Sequence, residues 1–382
     1  MGEVLTTTGI IALISAAFAI LLSLADKFLN NYGIVKLNIN EEKDYEVEGG
    51  QSLLNTLKQE KIFLPSACGL SLIHISERAG KGTCAYCKCK VNEGGGPVLA
   101  TEKPFLSAQE EKDNVRLACQ VKVKNNIDIE IPEDLFNVKE IEAEVVEKIP
   151  MTDRIVKIRF KLPEGETINF KPGQFMQLQS KPYPKGEDYM AQDESWDRAY
   201  SIASSANDHG HIELLIGQVL EGRVSTYVHK ILKEGDKATL VGPFGDFYYS
   251  DDDSEEIIMV AAGTGFAPIR SILYHMLDND IKKKARFYFG ARTKDDLFLL
   301  DEMKMFEEKL HDFKFMPTLS RPSEADKWTG DTGRVNNSID KYVDENTKYS
   351  AYLCGSPVMI QGIVKSLVDK KVSEDHIFFD EF

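Results

Sequence analysis

The residues IIMVAAGTGFAP, at positions 257–268, decide how the C-terminal part of this chain folds. Ile257–Ala261 is an unbroken apolar run, which is typical of a parallel strand buried on both faces. The turn that follows carries Gly263 and Gly265, and glycines at a strand-to-helix turn let the backbone approach a pyrophosphate. The pattern is not G-x-G-x-x-G, so the usual dinucleotide fingerprint is not claimed. A helix is predicted next, at Ile269–Leu277.

Strands and helices alternate from this turn to the C-terminus, which predicts an open α/β nucleotide-binding domain with a parallel sheet. Near the end, LCGSP at 353–357 follows a short strand at the same predicted sheet edge. A small polarisable side chain beside a glycine, such as Cys354, suits a position against a nicotinamide ring; the alternative is a buried, inert cysteine. The other strands predicted in this domain are Ala285–Phe289, Phe313–Leu319 and Ala351–Leu353.

Strands dominate the segment from about Val138 to Ser250. Turn residues separate them at intervals that suit a closed antiparallel barrel. An acidic run, DDDSEE at 251–256, links this barrel to the α/β domain. The strands predicted in the barrel are Ala143–Ile149, Ile155–Phe160, Phe175–Ser180, Ile212–Ile216 and Ala238–Val241.

Three short motifs in the barrel segment point to a bound flavin. In RAYS, Arg198 suits a phosphate, Tyr200 the flavin ring or ribityl chain, and Ser201 the flavin N5 or O4. In GRVST, at 222–226, a glycine and hydroxyls open a predicted helix, whose free N–H groups make a phosphate site. GPFGDF, at 242–247, adds a glycine-rich turn with an aromatic nearby. Each motif alone fits an ordinary turn or cap, but their order and spacing favour the flavin.

Five of the six cysteines lie between Cys68 and Cys119. In a large chain without a convincing secretory signal, clustered thiols indicate a metal site rather than a disulfide framework. A C-x2-C pair and a distant cysteine fit a plant-type [2Fe–2S] site, although the first gap holds 15 residues where about four are usual. Zinc and a role without metal are the alternatives. The candidate ligands are Cys68, Cys84, Cys87 and Cys119, and Cys89 is interpreted as a buried core residue.

A small α+β domain is predicted around these cysteines. Ile34–Asn40 and Asp44–Val47 alternate apolar and polar residues as a hairpin does, and Ile127–Ile131 is a third alternating strand. Ser52–Gln59 has helical spacing. The net charge of −15 argues against nucleic acid or anionic lipid as a partner for the bulk of the chain.

An uncharged apolar segment, Val4–Ala25, lies near the N-terminus. At about 1.5 Å per residue, a helix of this length crosses a hydrocarbon core of about 30 Å. A cleaved signal peptide is the alternative, but residues 1–3 offer no basic side chain for one. A retained membrane helix is therefore predicted, and Lys27 and Lys36 behind it favour a cytoplasmic C-terminal mass.

Taken together, RAYS, GRVST, GPFG, GTGFAP and LCGSP resemble the motifs of the ferredoxin–NADP reductase-like flavoprotein superfamily. The order of an anchor, a ferredoxin domain, a flavin barrel and an NADH domain is similar to that in the F subunits of Na⁺-translocating NADH:quinone oxidoreductases. The resemblance extends over essentially the whole chain. It implies a membrane anchor at 1–30, a β-grasp-like [2Fe–2S] ferredoxin domain at 33–132, an FAD-binding barrel at 138–250 and an NADH-binding domain at 255–382.

The resemblance also assigns roles to individual residues. It implies that the four candidate cysteines ligate iron, that Cys354 faces the nicotinamide and that Phe382 covers the isoalloxazine, with Ser201 as the third catalytic candidate. Gly263, Thr264 and Gly265 are implied to hold NADH. The residues implied to hold FAD are Arg198, Tyr200, Ser201, Gly222, Val224, Ser225 and Thr226.

The function that the resemblance implies is electron input to a membrane complex. Electrons pass from NADH to FAD, to the cluster and then to a membrane partner and quinone, in a family that couples this transfer to sodium transport. The implied location is the plasma (inner) membrane of the cell, with the catalytic domains in the cytoplasm. The sequence leaves two alternatives: an NADH-dependent reductase of an oxygenase or another soluble acceptor, and an NADH–flavin diaphorase whose cysteine domain has lost its cluster.

The choice of nucleotide is predicted from the residues after the strand Ala285–Phe289. Arg292 is followed there by Thr293, Lys294, Asp295 and Asp296. A protein that binds the 2′-phosphate of NADPH is expected to gather cations at this point. Because the two acids would repel that phosphate, the sequence predicts a preference for NADH.

Overall fold

The computed structural model describes Phe18 and residues 32–65, 85–345 and 347–382. Apart from Phe18, the predicted membrane helix at 4–25 lies outside the described residues, as do Cys68, Cys84 and the insertion at 70–81. In the part of the chain that is described, no helix combines the length and the apolar character needed to cross a membrane. The contacts divide the chain into two units, Met1–Phe136 and Asn137–Phe382.

The first unit contains a five-stranded mixed sheet in the order β2-β1-β5-β3-β4. Its first hairpin forms because apolar residues alternate along β1, so that Val35, Leu37 and Ile39 enter the core. Helix α1 begins where the Ser52 hydroxyl accepts a hydrogen bond from the backbone N–H of Asn55. The elements are β1 (Ile34–Ile39), β2 (Lys43–Glu48), α1 (Leu53–Gln59), β3 (Lys88–Glu93), α2 (Ala108–Lys112), β4 (Val115–Leu117) and β5 (Ile127–Glu130).

The second unit begins with a six-stranded antiparallel sheet in the order β10-β7-β6-β11-β8-β9. A bridge between Ile202, just after β9, and Leu214 in β10 joins the two edges and closes the barrel. The elements are β6 (Lys139–Pro150), β7 (Ile155–Lys161), β8 (Phe175–Gln179), β9 (Asp197–Ser201), β10 (His211–Gly217), α3 (Arg223–Thr226) with a following π turn (Tyr227–Ile231), and β11 (Lys237–Phe244).

The rest of the second unit is a six-stranded parallel sheet in the order β15-β14-β13-β12-β16-β17. Its central strands β12 and β16 are buried almost throughout, and for β12 the apolar run at 257–261 predicted this. The elements are β12 (Glu256–Ala262), α4 (Phe266–Asp278), β13 (Lys284–Ala291), α5 (Leu300–Lys309), β14 (Asp312–Leu319), β15 (Asp331–Thr332), α6 (Val335–Tyr342), β16 (Tyr349–Gly355), α7 (Pro357–Asp369) and β17 (Ile377–Glu381).

Helix α4 differs from its prediction in where it begins. It starts at Phe266 rather than at Ile269, so that the helix includes Pro268. Proline is tolerated in a first turn because the N–H that it lacks would have no partner inside the helix. The helix therefore begins directly at the Gly263–Gly265 turn, which places its first free N–H groups beside that turn.

Candidate functional site

A cavity of about 640 Å³ opens at the carboxyl ends of the parallel strands. Its walls include Gly263 and Thr264 after β12, Gly355 and Ser356 after β16, and Phe382 at the chain end. Thr152, Arg154 and Ile155, from the start of barrel strand β7 and the turn before it, line the same cavity. The crevice outside the carboxyl ends of such strands is where dinucleotides bind in open α/β sheets. The barrel and the parallel sheet thus share one nucleotide-sized site.

The glycines of the predicted phosphate turn have different tasks. Gly263 has a φ of +58°, a left-handed conformation that glycine adopts without strain, and it lines the cavity. A Cβ on Gly265 would overlap the carbonyl oxygen of Cys354, so this glycine lets the turn pack on β16. The structure brings Gly263 and Thr264 to the cavity wall, whereas Gly265 supports the turn from behind.

Cys354 is fully buried and is not among the residues that line the cavity. Burial raises the pKa of its thiol well above the usual value, and the charge of Asp380 adds to the effect. Cys354 lies opposite Asp380 in the pairing of β16 with β17. The side chain expected to face the nicotinamide therefore lies beneath the cavity floor, while its neighbours Gly355 and Ser356 form the surface.

Asp380 is a candidate site residue that the sequence reasoning missed. Burial raises the pKa of its carboxyl to about 6, and the nearby charge of Glu381 adds to this. Among the described residues it forms no ion pair. Its neighbour in sequence, Phe382, is 55% exposed, and the Phe382 N–H donates a hydrogen bond to the Gly355 carbonyl at 3.2 Å. The C-terminal segment thus places an aromatic ring on the cavity wall and carries a destabilised carboxylate two residues before it.

The RAYS residues lie on β9, which pairs with β8 at the edge of the barrel. Tyr200 packs against the barrel core, and burial raises the pKa of its phenol. Arg198 is partly buried, and burial together with the neighbouring guanidinium of Arg223 lowers its pKa. Two cations held close to each other at a barrel edge favour an anion between or beside them.

The GRVST segment has the expected helix, but its first hydroxyl is used locally. Gly222 precedes α3. The buried Ser225 hydroxyl accepts a hydrogen bond from the Val219 N–H at 3.2 Å and donates one to a backbone carbonyl of the same loop. Ser225 thus shapes the loop, and its side chain is not free for a phosphate. Val224 is buried, while Thr226 is partly exposed.

Trp196 joins the two flavin motifs, a contact that the sequence did not reveal. The guanidinium carbon of Arg223 lies 3.9 Å from the centroid of the Trp196 ring, and that of Arg198 lies 5.9 Å away. The buried Nε1–H of Trp196 has no hydrogen-bond partner, the only such buried side-chain atom in the described part of the chain. An unsatisfied donor on a ring that contacts two guanidiniums fits the anionic phosphates of FAD, so the residues present suit this cofactor.

The described part of the cysteine cluster is compatible with an iron–sulfur centre. The backbone N–H of Ala118 donates to the Cys87 carbonyl at 2.9 Å, which brings Cys87 and Cys119 to the same end of the β3–β4 ladder. Both are buried. No set of three or more His, Cys, Asp or Glu side chains converges in the described residues, among which Cys68 and Cys84 are not included. The thiols present fit two of the four ligands that a [2Fe–2S] cluster takes.

Cys89 is 4% exposed and belongs to the hydrophobic core of the first unit. Its side chain alternates with that of Lys88 along β3, on the face that packs inward. This placement agrees with its interpretation as a buried core residue.

Family models match three successive parts of the chain. A 2Fe-2S iron-sulfur cluster binding domain matches residues 37–124, an oxidoreductase FAD-binding domain matches 142–249, and an oxidoreductase NAD-binding domain matches 259–365. The cofactors predicted from the sequence, FAD, a [2Fe–2S] cluster and NADH, are confirmed at this level. Among solved structures, a cytochrome P450 reductase from Amycolatopsis has the same fold, with a TM-score of 0.69 at 23% identity over 91% of this chain and 98% of that one.

Curated relatives match the full length. The F subunit of the Na(+)-translocating NADH-quinone reductase of Marinomonas sp. is 34% identical over 418 aligned positions, covering 100% of this chain and 98% of the relative. Its counterpart of the same name in Yersinia enterocolitica is 32% identical, covering 100% and 99%. Together with the three domains and the shared cavity, this similarity establishes that the chain belongs to the family of F subunits of Na(+)-translocating NADH-quinone reductases.

Proposed function

We propose that this chain is the NADH-oxidising electron-input subunit of a membrane quinone reductase that is coupled to sodium translocation. Electrons leave NADH at the cavity and pass by way of FAD and the [2Fe–2S] cluster to a membrane partner. The observation that carries the proposal is the single cavity that the phosphate turn at 263–264, the barrel loop at 152–155 and Phe382 form together. In this arrangement the nucleotide lies against the barrel that carries the flavin motifs.

The chemistry belongs to the bound cofactors: FAD takes two electrons as hydride and releases them singly, and the cluster carries one at a time. The protein positions the reacting groups. Arg198 and Arg223, held by Trp196, attract the phosphates of FAD, and Tyr200 and Ser201 lie along β9 where the flavin is expected. Val224 lies in the first turn of α3 and supplies its N–H group there. Gly222 lets the chain enter this turn, and Thr226 is partly exposed on it.

The nucleotide is held by the turn after β12. Gly263 and Thr264 offer their backbone to the pyrophosphate, with the N-terminal turn of α4 behind them. Phe382 covers the position that the nicotinamide must take, and it gives way when the nucleotide binds. Cys354 supports the floor of the cavity, and Gly265 allows the close packing that keeps the turn in place.

We assign the cluster ligands to Cys68, Cys84, Cys87 and Cys119. Cys68→Ala should abolish the EPR signal of the reduced cluster, and Cys89→Ala should leave it. The reverse pattern would mean that the ligand set has moved to Cys84, Cys87, Cys89 and Cys119. Iron and acid-labile sulfide measurements on the same preparations would distinguish a lost cluster from a silent one.

We also propose the domain limits 1–30, 33–132, 138–250 and 255–382, with a single membrane helix near the N-terminus in the plasma membrane and the catalytic domains in the cytoplasm. Deleting residues 1–30 should give a soluble protein that still oxidises NADH with ferricyanide. Loss of bound flavin on this truncation would contradict the division. Co-purification of the full chain with other membrane proteins after detergent solubilisation tests the complex, and isolation without partners would favour a soluble acceptor.

A further inference from the structure

Two arginines without a carboxylate partner in the described residues line one wall of the nucleotide cavity. Arg292 follows β13 and Arg334 precedes α6. In the described part of the chain neither guanidinium forms an ion pair, and both side chains are exposed. The chain carries 61 acidic residues against 46 basic ones, so a wall with two unpaired arginines departs from the overall charge. Unpaired cations in a concave site indicate an anionic ligand.

Backbone hydrogen bonds bring these arginines together with Ser320. The Ser320 N–H donates to the Ala291 carbonyl at 2.9 Å, which places Ser320 beside the end of β13. The Gly333 N–H donates to the Leu319 carbonyl at 2.9 Å, and this contact carries Arg334 to the same place. Arg292, Ser320 and Arg334 therefore come from three separate segments and line one cavity.

The position of this wall decides which part of the nucleotide it meets. The pyrophosphate site is the turn after β12, the first strand of the α/β domain. In such domains the residue near the end of the second strand meets the 2′ position of the adenosine ribose: an acid there accepts the 2′-hydroxyl, and an arginine accommodates a 2′-phosphate. The second strand here is β13, and the residue that follows it is Arg292.

We propose that Arg292, Ser320 and Arg334 form a subsite for the 2′-phosphate of NADPH, so that this chain uses NADPH as well as NADH. The proposal rests on the proposed function of the same cavity. Arginine forks suit phosphate oxygens. The Ser320 hydroxyl donates to the Ala291 carbonyl at 3.3 Å, so Ser320 holds this wall of the subsite in place and the two guanidiniums supply the donors.

The acids that predicted a preference for NADH do not close this subsite. Asp295 is not among the residues that line the cavity. Asp296 does line it, but its Oδ2 accepts hydrogen bonds from the Thr293 N–H at 2.9 Å and the Thr293 hydroxyl at 3.0 Å. This carboxylate caps its own turn. The cavity wall then holds two guanidiniums that form no ion pair with the described residues, against the one carboxylate of Asp296, so its local charge stays positive.

The same arginines have a second possible ligand, the pyrophosphate that NADH and NADPH share. Neighbouring strands lie about 4.8 Å apart, so Arg292 is one strand and Ser320 two strands away from the turn that holds the pyrophosphate. If the arginines bind the pyrophosphate, removing one should weaken the binding of NADH and NADPH equally. If they bind the 2′-phosphate, removing one should weaken the binding of NADPH more than that of NADH.

A first experiment uses two nucleotide fragments as probes on the full-length holoprotein in detergent. 2′,5′-ADP carries the 2′-phosphate without the nicotinamide, and 5′-AMP lacks that phosphate. Inhibition constants against NADH–ferricyanide reduction, and direct binding by calorimetry, should show 2′,5′-ADP binding at least about tenfold more tightly, because charge-assisted hydrogen bonds exceed neutral ones. Raising the salt concentration should weaken 2′,5′-ADP more than 5′-AMP. Equal affinity of the two fragments would overturn the proposal.

A second experiment compares four variants by the ratio of kcat/KM for NADPH to that for NADH. Arg292→Gln and Arg334→Gln should each lower the ratio by about tenfold. Two control variants should leave the ratio unchanged. Lys294→Gln removes a nearby cation that does not line the cavity, and Arg154→Gln removes an arginine on the barrel side.

A fall in kcat/KM for both nucleotides together would assign the arginines to the pyrophosphate and overturn the proposal. If wild-type protein oxidises NADH but not NADPH, this inference alone fails; failure to oxidise either would defeat the proposed function itself.

Discussion

Arg270 and Arg334 lie in the same α/β domain but differ in what surrounds their guanidinium groups. Arg270 is buried on α4, where it contacts Glu213 at 2.6 Å, Glu302 at 2.6 Å and the Ala203 carbonyl at 2.7 Å. Arg334 is exposed on the cavity wall, with no carboxylate partner in the described residues. A guanidinium that the protein itself balances stabilises the fold, whereas one that it leaves unbalanced is available to a ligand.

The same contrast separates two carboxylates. Although burial opposes its ionisation, hydrogen bonds from Ser254, Ser350 and Lys283 hold the pKa of Asp252 well below its usual value. Asp380 has no such partners in the described residues, and burial raises its pKa to about 6. Asp252 ties the acidic linker to β16, while Asp380 lies on β17 opposite Cys354.

The largest effect is expected from removing a balanced charge. Arg270→Met should leave Glu302 without its cation, while Glu213 keeps Arg159 at 2.9 Å. Breaking a buried ion pair costs roughly 3–5 kcal/mol. The measurement is the free energy of unfolding from urea denaturation of the flavin-loaded protein. Lys304→Met is the control, because Lys304 pairs with Asp301 on the open surface and such pairs contribute at most about 1 kcal/mol. If both variants lost a similar, small amount of unfolding free energy, the buried ion pairs of Arg270 would stabilise the fold no more than a surface pair does.

The next largest effect is expected at Asp380, whose contribution to the free energy of unfolding depends on pH. Because the pKa is raised from 3.8 to about 6 by folding, the folded protein binds a proton more tightly than the unfolded chain does. Stability therefore falls as pH rises from about 4 to 6, and above that range the buried charge costs roughly 2–3 kcal/mol. Asp380→Asn should be more stable than the wild type at pH 7.5, and this advantage should disappear near pH 4.

The unfolding midpoints of Asp380→Asn and wild type across this range check the prediction. Asp375→Asn is the control, because this carboxylate is exposed. The difference between its unfolding midpoint and that of the wild type should not change with pH. An advantage for Asp380→Asn that stays constant with pH would mean that ionisation of Asp380 has no part in it.

Much of the fold follows from local patterns in the sequence. The unbroken apolar run at 257–261 predicted a strand buried on both faces, and β12 is such a strand. The strands β4 and β15 were not predicted, because they are only three and two residues long. Their strand character comes from pairing with β3 and β14, which a local pattern does not reveal.

The candidate site was less predictable, since its residues are joined by long-range pairing. Asp380 lies opposite Cys354 only because β17 pairs with β16. Arg334 reaches the cavity through the contact of Gly333 with Leu319. The motif residues at 198–201 and 263–265 could be found from their spacing in the sequence. Asp380 and Arg334 belong to no motif whose spacing would have indicated them. The unpaired charge of Arg334 becomes visible only when its surroundings are known.

Trp196 and Trp328 extend the comparison to hydrogen-bond donors. The Trp328 Nε1–H donates to the Asp331 carbonyl at 2.9 Å, while that of Trp196 has no partner among the residues that the structure describes. Trp196→Phe should leave the stability of the flavin-free protein unchanged or raise it by about 1 kcal/mol, because an unmet donor is removed. It should weaken FAD binding about threefold to tenfold, because part of a cation–π contact worth roughly 1 kcal/mol is lost.

Trp328→Phe is the matched control and should do the opposite, lowering stability without changing FAD affinity. These are the only two tryptophans in the chain. Each single variant therefore also serves as a fluorescence reporter for the tryptophan that remains. Quenching of Trp196 but not of Trp328 on FAD addition would support the assignment. If Trp196→Phe lowered stability and left FAD binding intact, Trp196 would be a structural residue only.

The smallest effect is expected at the C-terminus, where two phenylalanines are almost equally exposed. Phe382 is 55% exposed and lines the cavity, and Phe379 is 52% exposed and does not. If the Phe382 ring covers the place of the nicotinamide, the nucleotide must displace it, and a stacked aromatic contact is worth roughly 0.5–1.5 kcal/mol. Phe382→Ala should therefore raise the affinity for NAD⁺ about twofold to tenfold and change the rate of flavin reduction in stopped-flow experiments, with the cluster spectrum intact.

Phe379→Ala is the control, because it removes the same aromatic ring from a position that does not line the cavity. It should change neither the affinity for NAD⁺ nor the rate of flavin reduction. Equal behaviour of the two variants would mean that the terminal ring is a surface residue like its neighbour.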